Sequence, residues 1–408
     1  MADTSVAGNG WLADLRARGA RLAESLAWPT TQEEEWRRTS LAGLKLEQIV
    51  PVEPDGHRPA PAAEPPAGQA GLARFRGVTC TALGLASTWV ERGVRFQTLT
   101  PSGEMPVAVA AVLEDDLARA DNRLAAWHLG RLSHGALLYV PPGVQLSEPV
   151  FVDFEEPGAQ AASFPHLAIV LGPEARARVA QRIRGVGALV NAGLDAQLGD
   201  GASLELCQLQ DLGPSSLYFS HAAAAAGRDA GFRSLEVHFG GRLVKTRMEC
   251  SLEGPGAESF LNGAFLAGAG QHMDLRSVQR HRAPKATSRA LYKGAVKDSG
   301  RSVYQGLIEV SPGASGTDAY LSNKNLILND GARADSIPSL RIDNNDVRCS
   351  HGSTTGRINP EELFYLASRG LAPAEARALL VLGFFDELLA GSPIGEEALR
   401  RVSERLTG

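Results

Sequence analysis

The chain has 408 residues, 44% of them hydrophobic, and 41 Lys and Arg against 46 Asp and Glu give a formal net charge of −5. That suits one large elongated domain or two to three compact ones. The mild acidity, without any block of five or more basic residues, argues against nucleic acid as a partner. No apolar run approaches the roughly 20 residues that cross a bilayer, and the N-terminus has no signal-length stretch, so a cytoplasmic protein with no membrane partner is expected.

In chain order, Leu12, Leu15, Leu22 and Leu26 fall near helical spacing, and residues 11 to about 50 read as helical. After Pro29, Thr31 and Glu34 stand in the T-x-x-E arrangement of a capping box, which predicts a new helix there. Residues 51–71 contain six prolines and read as a loose connector. A further helical run is expected from about Pro106 to Leu132, which makes 1–132 an N-terminal helical region whose expected role is to cover a coil end.

From 133 to 358 the pattern changes to short apolar strands, among them ALLYV, HLAIVL, SLELCQL, SLEVHF and VYQGLIEV, separated by Gly, Pro, Asn and Asp. A small Ala follows the turn at Ala175, Ala202, Ala230, Ala257, Ala286 and Ala314, in steps of 27, 28, 27, 29 and 28 residues, before a shorter step to Ala332. A near-constant period marks a stacked-coil solenoid. The repeat accommodates two strands and two turns and no helix, which is a flattened β-helix coil, two strands per coil. An antiparallel sandwich is the competing fold, but it does not require the period.

Beyond 358 helices return, over 359–408. Asn359 is placed to cap a helix opening at Pro360 and closed by Gly370. From Pro373 a second helix should present Ala376, Leu379, Leu380, Gly383, Phe384 and Leu388 as one apolar stripe, either against the end of the solenoid or to a partner.

Few residues carry chemistry. Gly240 to Thr246 resembles a phosphate loop, but Val244 stands where the second Gly is required. His272 and Asp274 at H-x-D spacing, and His281, are expected to make hydrogen bonds rather than bind metal. The four cysteines, Cys80, Cys207, Cys250 and Cys349, are too scattered for a disulfide framework. In the stretch RIDNNDVRCSHGSTTG, Val347, Cys349 and His351 share a strand face, so a thiol and an imidazole point the same way, as a metal half-site or as a buried Cys beside a hydrogen-bonded His.

The run NKNLIL, the P-x-L-x-I step from Pro338 to Ile342, the CSHG-x-T-x-G box from Cys349 to Gly356, FYLASRG, and upstream PTTQEEEWRRTSL closely resemble the SufB/SufD family of iron–sulfur cluster assembly proteins. His281 and Tyr292-Lys293-Gly294 also fit, and the likeness runs in patches from Leu26 to Leu389. It is nearer to the SufD branch: Gly352 stands where SufB chains have a glutamate, and the position one period before His351, counted as 351 − 28, is Asn323 rather than the SufB cysteine. The resemblance implies an all-β core formed by a right-handed parallel β-helix flanked by helical segments. It also implies a non-catalytic scaffold that pairs with a SufB-like paralogue and binds a SufC-like ATPase through its C-terminal helices.

On that reading His351 and Cys349 work at the SufB interface, His351 as a metal ligand shared with the partner. Phe364, Leu379, Leu380, Phe384 and Phe385 would dock SufC. The isolated chain would hold no tightly bound cofactor, iron or a nascent cluster would pass through the complex, and a reduced flavin there is left open. Two other readings stand beside it. One is a β-helix carbohydrate-active enzyme using Asp343 and Asp346; the other is a structural homo-oligomer, weak self-association being compatible with the scaffold as well.

Overall fold

The computed structural model describes residues 6–7, 10–52, 62–99 and 105–407. From His134 to Arg357 the chain winds as a parallel β-helix of about eight coils, two strands to each coil. Each strand pairs with the strand after next, so two sheets grow side by side. The front sheet stacks the strands that begin at Val150, Arg176, Ser203, Gly231, Glu258, Thr287, Thr317 and Val347. The back sheet stacks His134–Val140, Pro165–Leu171, the second half of Arg176–Leu198, and then strands beginning at Leu217, Leu243, His272, Arg301 and Arg333.

The recurring alanines are the corners of this solenoid. All six, from Ala175 to Ala314, are fully buried. The Ala202 amide closes a turn onto Gly199 O at 3.0 Å, and its carbonyl takes the amide of Gly231 in the next coil at 2.8 Å; Ala230 repeats both bonds with Gly227 and Glu258. The residue before each corner from Ala175 to Ala286 is left-handed, with φ of 58° at Glu174, 67° at Gly201, 52° at Asp229, 74° at Gly256 and 58° at Lys285. A corner stacked this tightly has room for a methyl group and little more.

The coils lengthen toward the C-terminal end. Ser203 pairs with Gly231, a step of 28 (231 − 203), whereas Thr287 pairs with Asp318, a step of 31 (318 − 287), and Thr317 with Val347, a step of 30 (347 − 317).

Both sheet faces are covered. On the back sheet, helices Trp11–Ser25, Val107–Arg119 and Arg123–Arg131 lie over Leu137, Ala168 and Val170. Next to them residues 28–49 cross the sheet as a strap, with Trp36 and Leu46 packed on Phe164, Leu189, Phe219 and Leu243. The helix expected after Pro29 is not formed. Instead there is a single 3₁₀ turn, Glu34–Trp36, and the capping bond runs from Thr30 N–H to Glu33 Oε1 at 2.9 Å. The Glu35 carbonyl accepts from Lys245 Nζ and Gln305 Nε2, both at 2.9 Å, so tertiary partners take an acceptor that a helix would use internally.

The first coil is closed by strands as well as helices, a difference from the sequence expectation. Gly71–Arg76 adds in parallel to Val150–Glu155 and turns back as the hairpin partner Thr79–Leu85, and Arg95–Thr98 pairs antiparallel with the His134 strand. An unpaired strand edge needs hydrogen-bond partners, which a strand supplies and a helix does not. Residues 53–61 of the Pro-rich connector lie outside the described residues.

On the front sheet, Pro373–Leu389 and Gly395–Thr407 pack along the side of the solenoid, not its end: Val381, Phe385, Leu389, Ala398 and Val402 meet Leu209, Leu235, Val237, Phe239 and Leu266. The buried stripe of the first of these helices is Ala378, Val381, Phe385 and Leu389 with Ala376, about one residue out of phase with the predicted stripe. Lys293 fixes that phase, donating to Phe384 O at 2.7 Å and pairing with Glu387. Asn359 and Pro360 open the preceding helix as expected, the Asn359 side chain accepting from Glu361 N at 2.9 Å, and Gly370 closes it at φ 92°.

Replacing Phe385 by Ala is expected to cost about 3–5 kcal/mol in urea denaturation, as for a buried aromatic, with a clearly smaller loss for Phe384→Ala, whose ring is only half buried. Equal losses would refute the observed helix phase. Burial also holds two solenoid imidazoles neutral, His134 at a pKa of about 3 and His281 at about 4. Because an unfolded histidine titrates near 6.5, the unfolded chain takes up protons that the folded chain refuses. The contribution of these two groups to stability is therefore complete above about pH 6.5 and falls on acidification toward 4, by up to about 1.4 kcal/mol per pH unit for each group. Urea midpoints measured from pH 7 to 4.5 should fall, and His281→Gln should flatten the slope.

Candidate functional site: the open end of the solenoid

The last coil differs from the others because nothing follows it. Among the described residues, Arg333–Ile342 pairs only with the Arg301 strand and Val347–Arg357 only with the Thr317 strand, so each presents one free edge. Column by column, Tyr304, Ile308 and Val310 of the core are followed by Ser336, Leu340 and Ile342, and Ala319 and Leu321 by Cys349 and His351. The inner side chains of this coil thus form the rim of the open end. Leu340 and Ile342 are over a third exposed.

His351 lies directly over Leu321, which is fully buried, and is itself exposed, so its imidazole faces outward from the open end of the core. Its partner one coil back is Leu321 and not Asn323, because this step is 30 residues long. Neither position carries a cysteine. Cys349 shares the face, as its parity predicts, but packs with Val347 against the core. Burial, and after it the Asp318 carboxylate, raise its thiol above the ordinary value, which disfavours the thiolate. Among the described residues no group of three metal-capable side chains gathers around His351.

The strand that bears His351 is held from below. Asn323 donates to Tyr292 O at 3.0 Å, Asn325 donates to Asn323 Oδ1 at 2.7 Å, and Thr355 lies 3.5 Å from Asn325. The NKN run is therefore a buried amide ladder under the rim. Next to His351, a Cβ on Gly352 would approach the Tyr320 hydroxyl to 2.8 Å, so glycine there leaves room for that exposed ring.

The other flagged residues take part in the fold's own hydrogen bonds. His281 is buried and bonded to Ser288 Oγ at 2.8 Å. His272 bonds Thr39 Oγ1 at 2.8 Å, and Asp274 binds Thr39, Lys245 at 3.0 Å and Gln305 at 3.0 Å, so the H-x-D pair grips the N-terminal strap at the threonine of EEWRRTS. Tyr292 reaches the buried Glu236 inside the coil, past Gly263, where any Cβ would lie 2.3 Å from its ring. Asp343 lies in the turn between the last two strands, its amide donating to Val310 O at 2.9 Å, and the Asp346 amide donates to Asn344 Oδ1 at 2.8 Å.

Of the five expected docking residues, Phe364 is 77% exposed and Leu379 48%, while Leu380 and Phe384 are half-buried. Phe385 is fully buried against the solenoid and offers nothing to a partner, which corrects its assignment to a docking surface. Leu379 and Leu380 join Tyr365 and Leu366 around a cleft of about 450 Å³ between the two helices.

The description "SUF system FeS cluster assembly, SufBD core domain" matches residues 154–384, which spans most of the solenoid and ends within the helix Pro373–Leu389. An iron–sulfur cluster assembly SufBD family protein of Mycobacterium tuberculosis is 34% identical over 294 residues, 70% of this chain and 72% of its own length. SufD of Escherichia coli is 33% identical over 210 residues, 51% of this chain and 50% of its own. SufD of Bacillus subtilis is 27% identical over 398 residues, 94% and 91% of the two chains. With the coil architecture, the CSHG box at its open end and these matches together, the chain belongs to the SufB/SufD family of iron–sulfur cluster assembly proteins.

Proposed function

We propose that this chain is a SufD-like, non-catalytic scaffold subunit. It pairs through the open coil with a SufB-like paralogue, and its C-terminal helices bind a SufC-like ATPase in which ATP is hydrolysed. The observation that carries this reading is the combination of a free strand edge and an exposed imidazole, His351, on that rim. A neutral imidazole donates one lone pair to iron, and one ligand does not hold a nascent cluster, so the remaining ligands come from the partner. The cluster or its iron is cargo that passes through the complex.

The exposed edges of both last strands favour the same arrangement, since a second solenoid of like width satisfies their amides and carbonyls while covering Leu340 and Ile342. Cys349 stays a packed thiol in this scheme. The cleft by Leu379 and Leu380, with Phe364 near it in sequence on the preceding helix, suits a partner that grips two helices at once.

Co-expression with SufB-like and SufC-like chains under anaerobic conditions, followed by light scattering, should give a discrete species containing all three. In that species His351→Ala should leave the mass unchanged and abolish cluster loading, read from iron and sulfide content, while Cys349→Ala keeps most of the loading. A partner pair that forms without this chain, or full loading with His351→Ala, would overturn the proposal.

A further inference from the structure

A second grouping of donors lies far from the rim, on the outer face of the back sheet beneath the N-terminal helices. Asp116 comes from the helix Val107–Arg119, His166 from one coil and Asp195 from the next, and one donor atom of each falls within 4.8 Å of the others. All three side chains are buried.

The hydrogen-bond network assigns the protons here. The Nδ1 of His128 is 2.8 Å from the Asn191 carbonyl, so it carries the hydrogen and donates. With that hydrogen on Nδ1, Nε2 is the ring nitrogen of His128 free to accept. That nitrogen lies 3.0 Å from His166 Nδ1, which must therefore be the donor. The other ring nitrogen of His166, Nε2, faces Asp195 Oδ2, 3.4 Å away. Both atoms are buried, and neither makes a hydrogen bond. A buried ring nitrogen facing a buried carboxylate oxygen, with no hydrogen bond between them, calls for a positive charge at that point.

The spacing suits a metal ion. Nitrogen and oxygen ligands about 2.0–2.2 Å from a tetrahedral zinc are about 3.4 Å apart, which is the His166–Asp195 separation. A ligating imidazole normally donates its other N–H to a fixed acceptor, and His166 does so through a His128 that is itself oriented by a carbonyl. Arg119 holds Asp195 Oδ1 at 2.8 Å and lies 3.7 Å from Asp116 Oδ1, so it offsets one carboxylate and leaves one negative charge. Gly193 makes room for the imidazole pair, since a Cβ there would lie 2.3 Å from His128 Nε2 and 2.4 Å from His166 Nδ1. Asp195 and Arg119 also line a cleft of about 480 Å³ that gives an ion a way in.

We propose that Asp116, His166 and Asp195 bind a divalent transition cation of the zinc type, which ties the helix Val107–Arg119 to two coils of the solenoid. This site is separate from His351 and does not depend on the scaffold reading.

The test uses the full chain, freed of any purification tag, stripped with chelator and titrated with Zn²⁺ against a chromophoric chelator; Co²⁺ serves as a visible-absorbing probe of coordination. One equivalent should bind and raise the thermal midpoint. Asp116→Asn and His166→Gln should weaken binding at least about tenfold and lose the midpoint shift, with His351→Ala indistinguishable from the unaltered chain. Circular dichroism on each variant separates lost binding from lost fold. Absence of stoichiometric binding by the folded, unaltered chain would overturn the proposal, as would equal binding in both site variants or loss of binding in His351→Ala alone.

Discussion

Everything in this molecule follows from one requirement of a stacked coil: the backbone amides and carbonyls of each coil must be answered by those of the next. Inside the solenoid that requirement is met by strict parallel register, and the corner alanines carry it through the turns. At the two ends it must be met some other way. At the first coil the chain answers itself, folding residues 71–85 and 95–98 back as added strands. At the last coil no described residue does so, and Cys349 and His351 stand there.

The helical layers answer a different need. A solenoid of two narrow sheets has an outer face on each, and here both carry apolar side chains that water would not tolerate. The N-terminal helices and strap cover one, the C-terminal helices the other, and each layer is pinned by buried or half-buried charge: Lys245 to the Glu35 carbonyl on one side, Lys293 to Phe384 O and Arg401 and Arg405 to Asp211 on the other. With both faces covered by the chain's own segments, the rim of the last coil is the part of the β-structure left open among the described residues.

Much of this was legible in the sequence because it is local or periodic. The alternating strands, the alanine period, the Asn359–Pro360 start and the Gly370 stop each rest on a short-range rule, and the shared parity of Cys349 and His351 followed from strand geometry alone. The strap was misread as helix because its backbone bonds go to Lys245 and Gln305, more than two hundred residues away. The phase of the Pro373 helix was missed because two adjacent phenylalanines are equivalent on periodicity, and only Lys293 and the solenoid surface choose between them. Counting 28 residues back from His351 reached Asn323 instead of Leu321 because the last coils are longer than the average. Asp116, His166 and Asp195 carry no signal of their own in sequence; a helix and two coils have to be assembled before they meet.

A parallel β-helix is also a ruler. Its strands rise by a fixed spacing, so a residue's place along the axis is given by its coil number. His166 belongs to the second coil of the back sheet and His351 to the eighth of the front, six steps apart, or about 29 Å at about 4.8 Å per step. No side-chain motion spans that distance, so the buried donors under the N-terminal helices and the imidazole at the rim cannot hand an ion to one another. Lengthening or shortening the solenoid by whole coils would change their separation in fixed increments and leave the local geometry of each unchanged.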